Sequence, residues 1–270
     1  MKILLNNRIL HKTLRPFDDV GFVPTMGGIH EGHISLINRS IKYSNKTIVS
    51  IFVNPKQFNN KKDFRSYPSN IKNDLKILKK IPKIDFIYIP KYREIYNNKT
   101  KAKIVIKKSD KILCAKFRKG HFEGVLGVIN QFLKIVKAKY LFLGEKDFQQ
   151  IYLIKNFIKK KFKTKVIPCK TVRNINYFPY SSRNLLLKKN DIKNATLIIN
   201  YVKNFRNLII KKKINFNELI NSKKKILRYC QKIDYLEIRN KKDLSRNFSR
   251  KNFKIFIAFY IDNIRLIDNF

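Results

Sequence analysis

The chain alternates short apolar runs with segments whose apolar residues recur every three or four positions. The runs at 20–23, 47–53, 86–89, 140–143 and 165–167 predict strands, and those at 34–43, 71–79, 125–136 and 149–157 predict helices. Strands and helices in turn predict βαβ units, hence an α/β fold: a doubly wound, Rossmann-like, mostly parallel sheet. Past residue 173 the rhythm changes to two long helical stretches, 191–212 and 216–231, followed by strand-like runs at 233–239 and 253–261. That shift predicts two domains, 1–173 and a smaller α+β domain over 174–270. Ligands of doubly wound sheets bind at the carboxyl ends of the strands, so the loops after Val23, Val53 and Leu143, and the region beyond Ile167, are the places to look for chemistry.

The first of those loops reads Val23-Pro24-Thr25-Met26-Gly27-Gly28-Ile29-His30-Glu31-Gly32-His33. Paired glycines let backbone approach a ligand closely, and the start of the helix that follows favours an anion. His30 and His33 fall on one helix face, where imidazoles can hold phosphate oxygens or donate a proton. An isolated H-x-x-H is also common on ordinary surfaces, so the motif needs its context.

Composition narrows the class. With 270 residues the chain buries a core without disulfides, and Cys114, Cys169 and Cys230 leave an odd thiol and no C-x-x-C pair, which suits a reducing cytoplasm. No apolar run approaches the roughly 18 residues that cross a bilayer, and no leader pattern opens the chain. The net charge of +43 would ordinarily point to nucleic acid. Here the excess is mostly Lys spread along the whole chain, beside abundant Asn, Ile, Phe and Tyr, with eight Gly, eight Pro and no Trp. Those are the biases of an A/T-rich genome, and they explain the charge without a specific nucleic-acid partner.

Further blocks stand in order along the chain: Ser50-Ile51-Phe52-Val53-Asn54-Pro55-Lys56-Gln57-Phe58, Gly120-His121-Phe122-Glu123-Gly124-Val125, Phe142-Leu143-Gly144-Glu145-Lys146-Asp147-Phe148-Gln149-Gln150, Ser181-Ser182-Arg183-Asn184 and Arg265-Leu266-Ile267-Asp268-Asn269. With residues 23–33 they resemble the pantothenate synthetase (pantoate–β-alanine ligase) family of the H-x-G-H nucleotidyltransferases, over essentially the whole chain.

The resemblance implies an ATP-dependent ligase that adenylates pantoate and passes the acyl group to β-alanine, giving pantothenate, AMP and pyrophosphate. It implies an ATP site at Met26, Gly27, Gly28, Ile29, His30, Glu31, Gly32, His33, Gly144, Glu145, Lys146, Asp147, Val172, Tyr180, Ser181, Ser182 and Arg183, with His33, His30 and Lys146 as the catalytic groups. Chemically, Lys146 offers an ammonium for the α-phosphate, Asp147 an acceptor for ribose hydroxyls, and the Ser181-Ser182-Arg183 triplet two hydroxyls and a guanidinium fork for the outer phosphates. Val172 matches a position whose backbone meets adenine. Gln57, Gln150 and Asn54 are the pantoate candidates, with Gln57 also at β-alanine. Mg²⁺ is expected with ATP, and Asp74 is its protein partner. His121 reads as a histidine that orders a loop above the site. The resemblance further implies a lid formed by the second domain, a hinge at 173–180 and a homodimer.

The chain departs from the family at Ser69, Cys114, Lys119, Asn176-Tyr177 and Pro179-Tyr180, the last lying next to the serines. Two other readings remain open: a related nucleotidyltransferase adenylating a different small acid, and a decayed enzyme acting as a basic nucleic-acid binder. Glutamines at 57 and 150 favour an unphosphorylated substrate.

Overall fold

The computed structural model describes residues 1–96 and 104–270. The Asn- and Lys-rich segment 97–103, expected to be a solvated loop, lies outside the described residues. The chain divides into two compact units, one of Met1–Glu145 with Gln150–Thr171, the other of Lys146–Gln149 with Val172–Phe270.

The first unit is built on a six-stranded sheet of β1 (Lys2–Leu4), β2 (Val20–Thr25), β3 (Lys46–Ile51), β4 (Phe86–Tyr88), β5 (Tyr140–Gly144) and β6 (Lys165–Cys169), in the order β1-β4-β3-β2-β5-β6. Every pairing in it is parallel. From β2 the chain winds one way through β3 and β4, then returns to lay β5 and β6 on the other side, so the winding reverses between β2 and β5. β2 pairs with β3 along six residues but with β5 only at Gly21↔Tyr140 and Phe22↔Leu141. The carboxyl ends of β2 and β5 are therefore unpaired with each other, which opens a crevice of the kind that holds ligands.

Both faces of this sheet are covered, which is why its strands read as continuous apolar runs. On one face the helix Glu31–Tyr43 sets Leu36 and Ile37 among Val23, Val49, Ile87 and Phe142. On the other, Phe132 of the helix His121–Val136 meets the rings of Phe22, Phe52 and Tyr88 edge-on. Gly21 lets the first helix come close, since a Cβ there would lie 2.2 Å from Ser44 Oγ.

The second unit carries a three-stranded antiparallel sheet of β7 (Lys232–Asn240), β8 (Phe253–Ile261) and β9 (Ile264–Asn269). Alternate residues of β8, from Ile255 to Ile261, pack into a core with Ile198, Ile199 and Val202 of the helix Lys189–Ile210. Asp262 and Asn263, both at positive φ, make the two-residue turn between β8 and β9. The helix expected over 216–231 is shorter, Glu218–Ile226. Segment 173–180, expected as a hinge, forms a small hairpin closed by an Arg173↔Pro179 bridge and by the Tyr180 N–H bonded to the Val172 carbonyl at 3.1 Å. Arg173 ties it to β9 through a bidentate pair with Asp268, at 2.6 and 2.9 Å. Among the described residues, no helix is long and apolar enough to cross a membrane.

Candidate functional site

β2 ends at Thr25, whose hydroxyl donates to the Ser50 carbonyl at 2.7 Å and accepts from the Gly27 N–H at 3.2 Å. Gly27 and Gly28 then take φ of +78° and +60°, a left-handed pair that few other residues tolerate, and the chain enters the helix at Glu31. The turn closes over a buried carboxylate. Asp74 Oδ2 accepts from Gly28 N–H at 3.1 Å and Oδ1 from Ile29 N–H at 2.8 Å, with Asp74 1% exposed. A Cβ on Gly27 would stand 2.7 Å from that carboxylate.

The N–H groups of Gly28 and Ile29 are thus engaged by Asp74. Asp74, expected as a Mg²⁺ partner, accepts one backbone N–H on each oxygen. Among the described residues there is no group of three or more His, Cys, Asp or Glu that could hold a metal ion.

His30 caps the helix, its Nδ1 accepting from the Gly32 N–H at 3.0 Å, so the ring presents Nε2 as its donor. The His33 ring lies stacked on it, centroids 4.0 Å apart and 25° from parallel. Two imidazoles at the positive end of a 13-residue helix make a strong place for an anion.

β3 leads into a 3₁₀ turn, Pro55–Gln57. Gln57 Nε2 points at Met26 Sδ, 2.8 Å away, so this turn meets the glycine loop. Asn54 is wholly used within the protein: its Nδ2 donates to Gln57 Oε1 and to the Gly124 carbonyl, both at 3.1 Å, while Oδ1 accepts from Lys56 N–H and Tyr96 OH. An amide has two donor hydrogens and two acceptor lone pairs, so Asn54 has nothing left for substrate. It was expected to line the pantoate pocket; in the structure its amide holds Gln57. Burial pushes the neighbouring Tyr96 hydroxyl far above its ordinary range, so it stays a donor. Gln150, near the start of the helix Phe148–Ile158, is half-buried.

Gly144 ends β5 opposite Cys169 of β6, and Glu145 follows it. Burial pushes the Cys169 thiol up to about 11, against the pull of Arg39.

In the second unit, Lys146 Nζ lies 3.3 Å from Asp147 Oδ1. The Lys146 carbonyl accepts from Asn269 Nδ2 at 2.9 Å, the Asn269 N–H donates to Asp268, and Asp268 is the partner of Arg173. Asp268 is completely buried, which pushes its carboxyl up while the guanidinium works against that rise. The support of Lys146 by Asn269, Asp268 and Arg173 was missed at the level of sequence, because the partners are 95 to 123 residues apart. Val172 begins the hairpin with its carbonyl committed to Tyr180 N–H. Ser181 caps the 3₁₀ turn Ser182–Leu186, accepting from Arg183 N–H at 3.4 Å. Ser182 is buried, and Asn184 Nδ2 anchors the turn to the Pro179 carbonyl at 2.9 Å.

Comparison with known proteins agrees over nearly the whole length. Residues 4–270 match the family described as Pantoate-beta-alanine ligase. A pantothenate synthetase of Francisella tularensis subsp. mediasiatica (strain FSC147) is 41% identical over 255 residues, covering 93% of this chain and 88% of the relative. The crystal structure of a pantoate-beta-alanine ligase from Francisella tularensis, complexed with Beta-gamma ATP and Beta-alanine, superposes with a TM-score of 0.86 at 37% identity, covering 100% of this chain and 97% of that one. That of the pantothenate synthetase from Thermus thermophilus gives 0.91 at 27% identity, covering 100% and 99%. A doubly wound sheet with stacked histidines on its glycine loop, matched this completely in sequence and in fold, leaves one conclusion: the chain belongs to the pantoate-beta-alanine ligase family.

Proposed function

We propose that the protein condenses pantoate with β-alanine at the expense of ATP. The pantoate carboxylate attacks the α-phosphorus of ATP, a P–O bond forms as pyrophosphate leaves, and the mixed anhydride is then opened by the β-alanine amine with loss of AMP. The amine gives up a proton in the second step, and pantothenate is the product. No covalent enzyme nucleophile is needed. What the first step demands is stabilisation of charge moving onto pyrophosphate, and what both demand is exclusion of water from the anhydride.

The observation that carries this reading is the stacked His30–His33 pair on a helix start, reached through Met26 from the Gln57 amide. It supports phosphate chemistry next to a neutral, hydrogen-bonding acid site. His33, with His30, serves the phosphates and the leaving oxygen; Lys146 serves the α-phosphate; Ser181, Ser182 and Arg183 serve the outer phosphates; Asp147 serves the ribose. The Val172 carbonyl is committed, so a backbone contact to adenine rests on its N–H. Gln57 and Gln150 take pantoate, a hydroxy acid whose groups both donate and accept, and Gln57 also borders β-alanine. Mg²⁺ would arrive on ATP, held by phosphate oxygens and water, which neutralise charge without a protein cage. A cytoplasmic homodimer completes the reading.

The test is pantoate-dependent exchange of label between pyrophosphate and ATP, followed by β-alanine addition and detection of AMP and pantothenate. Exchange and product together support both half-reactions. No exchange from a folded, ATP-binding protein would transfer the reading to a different acid.

A further inference from the structure

The block Gly120-His121-Phe122-Glu123-Gly124 takes no part in the chemistry above, yet its helix meets the Pro55–Gln57 turn and its capping residue Asn54 at three points. His121 Nδ1 lies 2.7 Å from the Gln57 carbonyl oxygen. The Gly124 carbonyl accepts from Asn54 Nδ2 at 3.1 Å. A Cβ on Gly124 would lie 2.2 Å from the Lys56 carbonyl oxygen and 2.8 Å from Gln57 Cα, so the two backbones are in direct contact.

The remaining face of the imidazole fixes its proton. Arg118 Nη1 lies 2.8 Å from His121 Nε2. A guanidinium only donates, so Nε2 is the acceptor and the ring proton sits on Nδ1, where it donates to the Gln57 carbonyl. We propose that Arg118 and His121 are positioning residues for the pantoate site: Arg118 selects the Nδ1–H tautomer of His121, and His121 in turn holds Gln57 in the register that presents its side chain. The inference rests on the assignment of Gln57 to pantoate.

The arrangement differs from a purely structural contact in its directionality. His121 grips the backbone of Gln57, and Asn54, held by the same helix, grips its side chain. Loosening one end leaves the fold anchored by Gly124 and shifts one side chain. The effect then falls on the substrate that Gln57 meets, and ATP binding at the histidine loop is spared.

The experiment uses the full-length enzyme and three variants. The amide of His121→Asn places a donor about where Nδ1 is, and that of His121→Gln places it about where Nε2 is. With Gln57→Ala as the reference, His121→Gln should raise the KM for pantoate about 3- to 10-fold, the loss of one net hydrogen bond, with KM for ATP and kcat within about twofold. His121→Asn should recover most of that loss. An imidazole ¹⁵N–¹H correlation spectrum, with the His121 signals identified by their absence from His121→Asn, should show the Nδ1–H form.

Equal losses in the two His121 variants, or losses spread over both substrates with a lowered folding midpoint, would overturn the proposal. So would an Nε2–H signal. If Gln57→Ala leaves pantoate KM unchanged, the assignment of Gln57 falls and takes the substrate effect with it, while the spectrum still decides whether the Arg118–His121–Gln57 bond exists.

Discussion

Asp74 Oδ1 accepts the Ile29 N–H at 2.8 Å, and through this bond and its neighbour from Gly28 a helix 45 residues along the chain sets the backbone of the histidine loop. Asp74→Asn keeps the size but turns one acceptor into a donor facing an N–H. It should cost about 1–3 kcal/mol of stability and raise KM for ATP, because a buried donor is left unpaired. Amide hydrogen exchange without nucleotide should show Gly28 and Ile29 losing protection. The Mg²⁺ concentration for half-maximal activity should be unchanged; a raised requirement cured by excess Mg²⁺ would make Asp74 a metal ligand after all.

Lys146→Ala should lower pantoate-dependent exchange by about 10²- to 10³-fold, the usual loss when one preorganised charge is removed from a developing anion. Asn269→Ala should give a smaller loss of the same kind, since Asn269 holds the Lys146 carbonyl. Near-normal exchange in Lys146→Ala would remove that lysine from the chemistry.

His33→Ala should depress adenylate formation with little change in the folding midpoint. Gln150→Ala should raise KM for pantoate. An effect confined to ATP in the second variant would mean that Gln150 faces the other substrate.

Cys169 should resist alkylation. Its thiol is pushed up to about 11 from an ordinary 9.0, so at pH 8 its thiolate fraction is about a hundredfold lower than that of a free cysteine, and its labelling rate should climb until the pH nears 11. Rapid labelling of the native protein at pH 8, located by mass spectrometry, would contradict its burial.

Lys137 ends the helix His121–Val136 at φ +51°, exposed, its N–H bonded to the Leu133 carbonyl. Lys137→Gly should stabilise the protein by about 1 kcal/mol, because glycine meets that backbone without a Cβ penalty. Tyr177→Gly should do the reverse although Tyr177 also has φ +68°. The Tyr177 ring lies under Arg173 at 4.3 Å and Lys203 at 3.8 Å and stacks against Phe270, and those contacts outweigh the relief by about 1 kcal/mol. Urea unfolding of the two variants checks both signs.

Strong periodicity made the parallel sheet and its flanking helices legible, because strands buried on both faces read as apolar runs. β1 and the helix Asn7–Leu14 gave no such signal: the strand has three residues, and the helix buries only Leu10 and Leu14. The helix expected from Val125 starts at His121, since Gly124 sits inside it for a steric reason that composition disguises as a breaker. At the site, the histidine pair on the glycine loop and the turn that carries Gln57 were legible as motifs. The commitments of Asp74 and Asn54 were not, because a carboxylate that binds a cation and one that binds backbone are spelled alike.

The chain carries only eight glycines. Among the described residues, eight positions at positive φ carry other side chains. Gly124 is a different case: its missing Cβ is a length standard, since the Lys56 carbonyl occupies the space. Mutational drift can trade conformational ease for another residue, but it cannot move that carbonyl without unseating Gln57. Position 124 therefore acts as a fixed gauge between a helix and the turn that carries Gln57, the kind of site where an engineer would find no permitted alternative and at Lys137 would find an improvement.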